Sequence, residues 1–392
     1  MTSYSSEAKR ILPLIVFAQF ACTSLWFAGN AVLPELQIAF DLLPTSVGHL
    51  TSSVQVGFIL GTLIFAIFTI SDRFSPSKVF LVCALSGAVI NLSITLVTSS
   101  TLLFFLRGCV GFFLAGIYPV GMKISADYHE KGLGKALGYL VGALVVGTAL
   151  PHWIRMMSTS LQWEVVMYTT SILSIAGGCI VYFLVPDGPF RKKGSTLDLS
   201  ACFTVFKEKK FRAAAFGYFG HMWELYTLWA FIPFILAKYN ELNSQHLSVS
   251  LWSFLIIASG GIACVLGGYI SSKKGSHRIA FAALFLSGIC CLLSPLLFHI
   301  PIPIFLVFLI IWGMAVVADS PQFSTLIANY ATVHSKGTAL TIVNSIGFAI
   351  TILSLQTMTL LTEHFNPNII FVSLAIGPVL GLVALGRPVT TE

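Results

Sequence analysis

Apolar residues in this chain fall into long unbroken runs of about twenty, separated by short polar or charged stretches. Twelve runs can be marked, at about 11–33, 47–70, 77–98, 101–125, 135–157, 164–185, 212–237, 247–271, 278–299, 302–326, 337–361 and 367–386. Each is long enough, as a helix, to cross roughly 30 Å of hydrocarbon. The runs lack the period-two alternation of a membrane β-barrel, which excludes that architecture. The pattern predicts an all-α polytopic membrane protein with 12 transmembrane helices. The first run is too long for the core of a signal peptide and has no convincing cleavage site, so it is read as a span.

The runs repeat. The stretch Leu103–Gly142 has a degraded copy that begins near Ile311. Aligning Gly108 with Gly313 also pairs His129 with His334, Lys131 with Lys336, Gly132 with Gly337 and Gly142 with Gly347, at an offset of 205. Earlier in each half, Phe17 pairs with Phe216, Phe20 with Phe219 and Pro34 with Pro233 at an offset of 199, and Gly61 pairs with Gly261 at 200. The longest connection, Pro186 to Arg212, is basic and bounded by proline and glycine, with an apolar set at Leu197, Leu199, Phe203 and Phe206. The expected organisation is therefore an N-terminal six-helix bundle at 1–185, a cytoplasmic linker at 186–211 and a C-terminal six-helix bundle at 212–392.

Composition agrees with the membrane reading: 56% of residues are hydrophobic and 9% charged, where a soluble chain would carry about a quarter. The net charge of +7 resembles that of a nucleic-acid binder until its placement is considered. Lys9–Arg10, Arg73, Lys78, Arg191–Lys193, Lys207, Lys209, Lys210, Arg212, Lys273, Lys274 and Arg278 all fall on the side of the termini. The opposite side has only Arg155 and Lys238. Positive-inside then predicts cytoplasmic termini, with lipid headgroups rather than nucleic acid as counter-ions. Of the eight cysteines, seven lie within apolar runs and Cys202 in the basic loop, with no CxxC pair, so they read as small buried apolar residues.

The loop after the second run reads Ser71-Asp72-Arg73-Phe74-Ser75-Pro76-Ser77-Lys78; its counterpart, Gly268 to Arg278, keeps glycines and basic residues but lacks the acid. Twelve spans in two halves with these loops resemble the major facilitator superfamily over essentially the whole chain. The family signature there is roughly Gly-x-x-x-Asp-Arg-x-Gly-Arg. This chain keeps Asp72 and Arg73, with Phe68 and Ser75 at the glycine positions and Pro76 at the final basic one. The resemblance implies a gating role for Asp72 and Arg73, against the alternative of a plain solvated loop.

Charges inside the runs are the other candidates, because they are expensive in hydrocarbon and tend to be functional. Arg107 lies about six residues, roughly 9 Å, into its run. With Gly108 and Gly111 it resembles the family's fourth-span Arg motif, which implies proton coupling and substrate movement; the alternative is an arginine snorkelling to the membrane edge. Lys123, one turn before Asp127, reads as snorkelling or ion-paired. Glu224 is twelve residues from Arg212 and fourteen from Lys238, near the middle of its span. A carboxylate at that depth is suited to take up and release a proton, and His221 shares its helix face. Asp319, with Ser320, Pro321 and Gln322, sits where the proline should break the helix, as Tyr118-Pro119 should in the other half. Trp26, Asn30, Gln55, Trp223, Tyr226, Trp229, Asn344 and Gln356 are candidates for lining a cavity, each against the alternative of packing.

The expected function is secondary active transport by alternating access, coupled to protons, of a small polar or amphipathic organic solute: a carboxylate, an amino-acid-like or a siderophore-like molecule. The candidate substrate contacts are Arg107, Asn30, Gln55, Trp26, Tyr118, Trp223, Asp319 and Gln322, and the candidate coupling residues Glu224, Asp319 and His221. A drug or metabolite efflux antiporter is the alternative, although the contiguous Gly-Pro element of many drug–proton antiporters is absent from the fifth span. A loose similarity of IYPVGMKISADY to nitrate- and organic-anion-type porters assigns no substrate. A transport-inactive receptor or scaffold is the reading from another class. No GxxxxGK[ST] loop or HExxH cluster occurs, so neither ATP hydrolysis nor an intramembrane enzyme is expected. No cofactor or metal is called for, and the expected state is a monomer in a cell membrane, the bacterial inner membrane in particular.

Overall fold

The computed structural model describes residues 2–43, 45–128, 133–191, 205–331 and 336–386. The repeat residues His129, Lys131, Gly132 and His334, the middle of the basic linker (192–204, with Cys202) and Arg387 lie outside them. Every regular element among the described residues is helical. The chain divides into two compact units, Met1–Thr196 and Leu197–Glu392.

The first unit opens with α1 (Thr2–Thr23), a turn, and the short helices α2 (Ala28–Ala31) and α3 (Leu33–Ala39). There follow α4 (Ser46–Ile67), α5 (Ile70–Arg73), α6 (Pro76–Ser93), α7 (Ser100–Leu114), α8 (Tyr118–Tyr128), α9 (Leu133–Met157) and α10 (Glu164–Leu184). The second unit comprises α11 (Lys209–Asn243), α12 (Val249–Lys274), α13 (Ser276–Leu293), α14 (Ile302–Ala318), α15 (Ser320–Tyr330), α16 (Lys336–His364), α17 (Pro367–Ile370) and α18 (Ile376–Gly386). Ten helical stretches among the described residues, five in each unit, are long and apolar enough to cross a membrane. The first helix of each unit stands apart: the apolar stretch of α1, Arg10–Thr23, is short, and α11 carries His221, Glu224 and several aromatics. With those two the arrangement is consistent with twelve spans in two six-helix bundles.

Three runs that read as single spans are broken by turns well inside their length, and the twelfth passes through a 3-10 stretch, Phe371–Ala375, between α17 and α18. The fourth is split into α7 and α8 just before Pro119, and the tenth into α14 and α15 just before Pro321. Proline explains both, since it lacks the amide hydrogen that continues the helix. The first run breaks after Thr23 with no proline or glycine at the break. At the break Thr23 Oγ1 donates to the Gln19 carbonyl at 2.8 Å and Ser24 Oγ to the Ala21 carbonyl at 2.6 Å, back-bonding of a kind that bends helices but that Thr51 and Thr170 also make within unbroken ones. By contrast α11 runs unbroken for 35 residues through Pro233.

Within each unit the helices meet at small residues, the usual device where lipid removes the hydrophobic drive for association. α4 and α7 approach so closely that a Cβ on Gly57 would collide with the Gly108 carbonyl, and one on Gly111 with the Val54 carbonyl. In the second unit Gly220 of α11 and Gly377 of α18 face each other's carbonyls in the same way. Gly57→Val should therefore lower the thermal unfolding midpoint in detergent, at a cost of about 1–3 kcal/mol from overpacking. Gly134→Ala, where an added methyl meets nothing within 4 Å, should leave the midpoint unchanged or raised; equal losses at the two positions would reject the close-approach account.

Candidate functional site

The break in the first run exposes carbonyls that no helix satisfies, and Arg107 of α7 meets them. Its Nη1 donates to the Leu25 carbonyl at 3.1 Å, and Nη2 to the Trp26 carbonyl at 2.5 Å. Nη1 also approaches Asn91 Oδ1 of α6 at 3.4 Å, and Asn91 Nδ2 in turn donates to the Met167 carbonyl and to Thr170 and Ser171 of α10. Arg107 is fully buried and forms no ion pair among the described residues. Snorkelling is therefore not its role: the guanidinium points inward and ties four helices around the break. Only Nε is left without a partner, packed over Gly29.

Beside this node, one face of α4 carries Thr51, Gln55 and Phe58 at helical spacing. Asn30 Nδ2 of α2 donates to Thr51 Oγ1 at 2.8 Å. The ring of Trp26 packs on Phe58 with centroids 4.9 Å apart. Gln55 lies between these two contacts, fully buried, and neither of its amide atoms has a hydrogen-bond partner; Asn30 Oδ1 also lacks one. An unpaired polar group buried this way costs about 1–3 kcal/mol. Tyr118, half-buried at the start of α8, belongs to the same unit.

In the second unit three donors converge on one oxygen of Glu224 in α11. Trp312 Nε1 of α14 donates at 2.6 Å, Cys291 Sγ of α13 at 3.2 Å, and Ser287 Oγ of α13 completes the set. One turn earlier on α11, His221 Nδ1 lies 2.8 Å from Asp319 Oδ1, both side chains 1% exposed. The two are within ion-pair range but off the line of a hydrogen bond, and His221 Nε2 and Asp319 Oδ2 have no partner. Asp319 occupies the single residue between α14 and α15, and its carbonyl accepts from the amides of Gln322 and Phe323 at 2.9 Å. The Phe323 ring packs against His221 and Tyr218. Gln322 is buried in the same turn, near Gly267 of α12. Trp223 faces elsewhere on α11 and donates to the Ser373 carbonyl at 3.1 Å. Tyr226 packs on Trp229 and Phe348, while Asn344 and Gln356 are half-buried on α16.

The two nodes are copies of each other. Trp312 is position 107 shifted by 205, Glu224 is position 25 shifted by 199, and Cys291 is position 91 shifted by 200. In each unit the same place on the fourth helix donates to the same place on the first, beside the same place on the third. Where the first helix is broken, the acceptor is the Leu25 carbonyl. Where it is continuous, Glu224 supplies the acceptor from its side chain. Sequence reasoning missed Trp312, Ser287, Cys291 and Asn91, although the repeat offsets lead from Arg107 straight to Trp312.

The loop after α4 forms a third cluster. Asp72 pairs with Lys123 of α8, whereas Arg73 is exposed. Arg191, beyond α10, donates to the Phe74 carbonyl at 2.8 Å and pairs with Asp187, which also accepts from Ser75 Oγ at 2.7 Å. The loop is thus held from two sides, one of them by the start of the linker, whose basic residues the sequence marks for topology and not for this contact.

Two repeated helical units with buried polar nodes, and ten helical stretches among the described residues long and apolar enough to cross a membrane, define a multi-pass membrane protein. The family model of the Major Facilitator Superfamily matches residues 15–355, and the chain belongs to that superfamily. It is 24% identical to AraJ of Escherichia coli (strain K12) over 223 residues, 55% of this chain and 56% of that protein. It is also 24% identical to the galacturonate transporter of Dickeya chrysanthemi over 187 residues, 42% of this chain and 53% of that protein. The chain therefore spans about half the length of the curated relatives it matches. The crystal structure of the human organic anion transporter MFSD10 (TETRAN) superposes with a TM-score of 0.77 at 16% identity, covering 96% of this chain and 99% of that one. The nucleoside transporter NupG gives 0.71 at 15%, covering 96% and 98%.

Trp312→Phe keeps the aromatic bulk and removes one donor to a carboxylate, so it should destabilise by about 1.5–3 kcal/mol, read as a lower unfolding midpoint in detergent. Phe308→Leu, at a ring that only packs against Trp312, is the control; an equal or larger loss there would mean that packing, not the hydrogen bond, matters at this crossing.

Proposed function

We propose that this protein is a secondary active transporter that couples the movement of a small polar or amphipathic organic solute to protons by alternating access. The observation that carries the reading is the buried His221–Asp319 pair one helical turn from Glu224. At 2.8 Å a carboxylate and an imidazole are close enough to pass a proton once the ring turns into line. Asp319 stands at the α14–α15 break, so a change in its charge acts directly on the joint between two helices. Glu224, gripped by three donors, supplies a second carboxylate in the same path.

For the solute, Arg107, Asn30, Gln55, Trp26 and Tyr118 in the first unit, and Trp223, Asp319 and Gln322 in the second, are the proposed contacts or their supports. Asp72 and Arg73 belong to the proposed gate, with Lys123 holding Asp72. The membrane would be a bacterial inner membrane with both termini cytoplasmic, and the working unit a monomer. The relatives support transport as an activity: one is named for galacturonate, and the superposed structures for organic anions and nucleosides.

The test is uptake into proteoliposomes under an imposed pH gradient, beside solute counterflow with no gradient. Asp319→Asn is expected to abolish gradient-driven accumulation and keep counterflow, with Glu224→Gln showing the same split. Full accumulation by both variants would overturn the assignment of coupling to these acids, and a wild type that moves no solute under any gradient would overturn transport itself.

A further inference from the structure

We infer that the polar face of α4 beside the first-helix break receives a polyhydroxylated organic anion, with hydroxyls on the carboxamides of Gln55 and Asn30 and the negative charge in the field of Arg107. The inference rests on the transport reading and narrows its cargo. Gln55 is fully buried with both amide atoms unpaired, and Asn30 keeps a bare Oδ1 after its amino group is spent on Thr51. The unused capacity is thus two acceptors, Gln55 Oε1 and Asn30 Oδ1, and two donors, Gln55 Nε2 and Arg107 Nε. A hydroxyl, which both donates and accepts, meets that whole set with one kind of group. A carboxylate accepts only and would leave the two amide oxygens bare, while an ammonium donates only and would stand against Arg107.

The charge follows from the other half of the geometry. Arg107 has spent its Nη donors on backbone carbonyls and on Asn91, and no carboxylate pairs with it among the described residues. Its positive charge is therefore held in an apolar interior with dipoles alone around it, which favours an anion nearby over a neutral solute of the same shape. The Trp26 ring, backed by Phe58, offers an apolar wall to the C–H faces of such a molecule.

Purified full-length protein in detergent, scanned for thermal unfolding with matched six-carbon probes, tests this without a gradient. Gluconate and glucuronate should raise the midpoint in a concentration-dependent way, sorbitol and glucose less, and hexanoate and adipate not at all. In Gln55→Leu the gluconate response should disappear while the ligand-free midpoint stays level or rises, since an unpaired buried amide has been removed. Gln55→Met, closer in shape, repeats the measurement if the leucine variant expresses poorly. Hexanoate or adipate matching gluconate, no response to any hydroxylated probe, or a gluconate response that survives in Gln55→Met would each overturn the inference. So would a lowered ligand-free midpoint in both variants, which would make Gln55 a structural residue. Gluconate binding with no gradient-driven uptake would leave the inference standing and remove proton coupling instead; coupled uptake of a hydroxyl-free acid would do the reverse.

Discussion

A polar group inside an apolar span must find a partner, because neither lipid nor packed side chains can replace the water it has lost. This constraint organises both halves of the molecule. After Thr23 the first span opens, and the carbonyls of Leu25 and Trp26 are left facing inward. Arg107 answers them, Asn91 steadies Arg107, and Asn91 is itself fixed by α10. Removing the arginine would strand two carbonyls; closing the helix would strand the arginine. Each of the two irregular features is tolerable only because of the other.

The second unit reaches the same geometry with different chemistry. Its first helix is continuous, so the carbonyls near position 224 already carry intrahelical bonds, although that of Met222 also accepts from Thr351 Oγ1 at 2.8 Å. The acceptor for the fourth-span donor comes from a side chain instead. Glu224 provides it, and Trp312, a neutral donor, replaces the cation. The opposite charges of the halves, one basic and one acidic, are thus consequences of one structural difference between two copies. A broken helix pairs with a cation and an intact helix with an anion.

Most of the architecture was legible because the bilayer demands long apolar runs and short basic loops, and both survive in composition. The repeat was legible in Gly108, Gly313, Phe17 and Phe216. The breaks at Pro119 and Pro321 were legible because proline states its effect locally. The break after Thr23 was not, since the same hydroxyl back-bonding leaves other helices unbroken at Thr51 and Thr170, and the group that meets the freed carbonyls, Arg107, lies 82 residues away. Lys123 read as snorkelling or ion-paired, and its partner Asp72 lies 51 residues away, a distance no local pattern bridges. Glu224 stood out by its depth, but its three donors did not, because tryptophan, serine and cysteine are ordinary residues in a span.

Satisfied and unsatisfied groups divide the buried polar residues into two kinds. Arg107 and Glu224 have most of their bonding capacity engaged, so moving either would break several contacts at once; they hold helices together. Gln55, Asn30 Oδ1, His221 Nε2 and Asp319 Oδ2 are equally buried and have none. A fold selected for stability alone would have replaced Gln55 with leucine, which fills a similar volume and needs no partner. Keeping an amide there lowers stability in the state described here and is repaid only in a state where something meets it. The same holds for an aspartate set 2.8 Å from a histidine without a completed bond. Recognition and coupling in this chain therefore draw on both kinds: the held charges of Arg107 and Glu224, and the unsatisfied groups about one helical turn away.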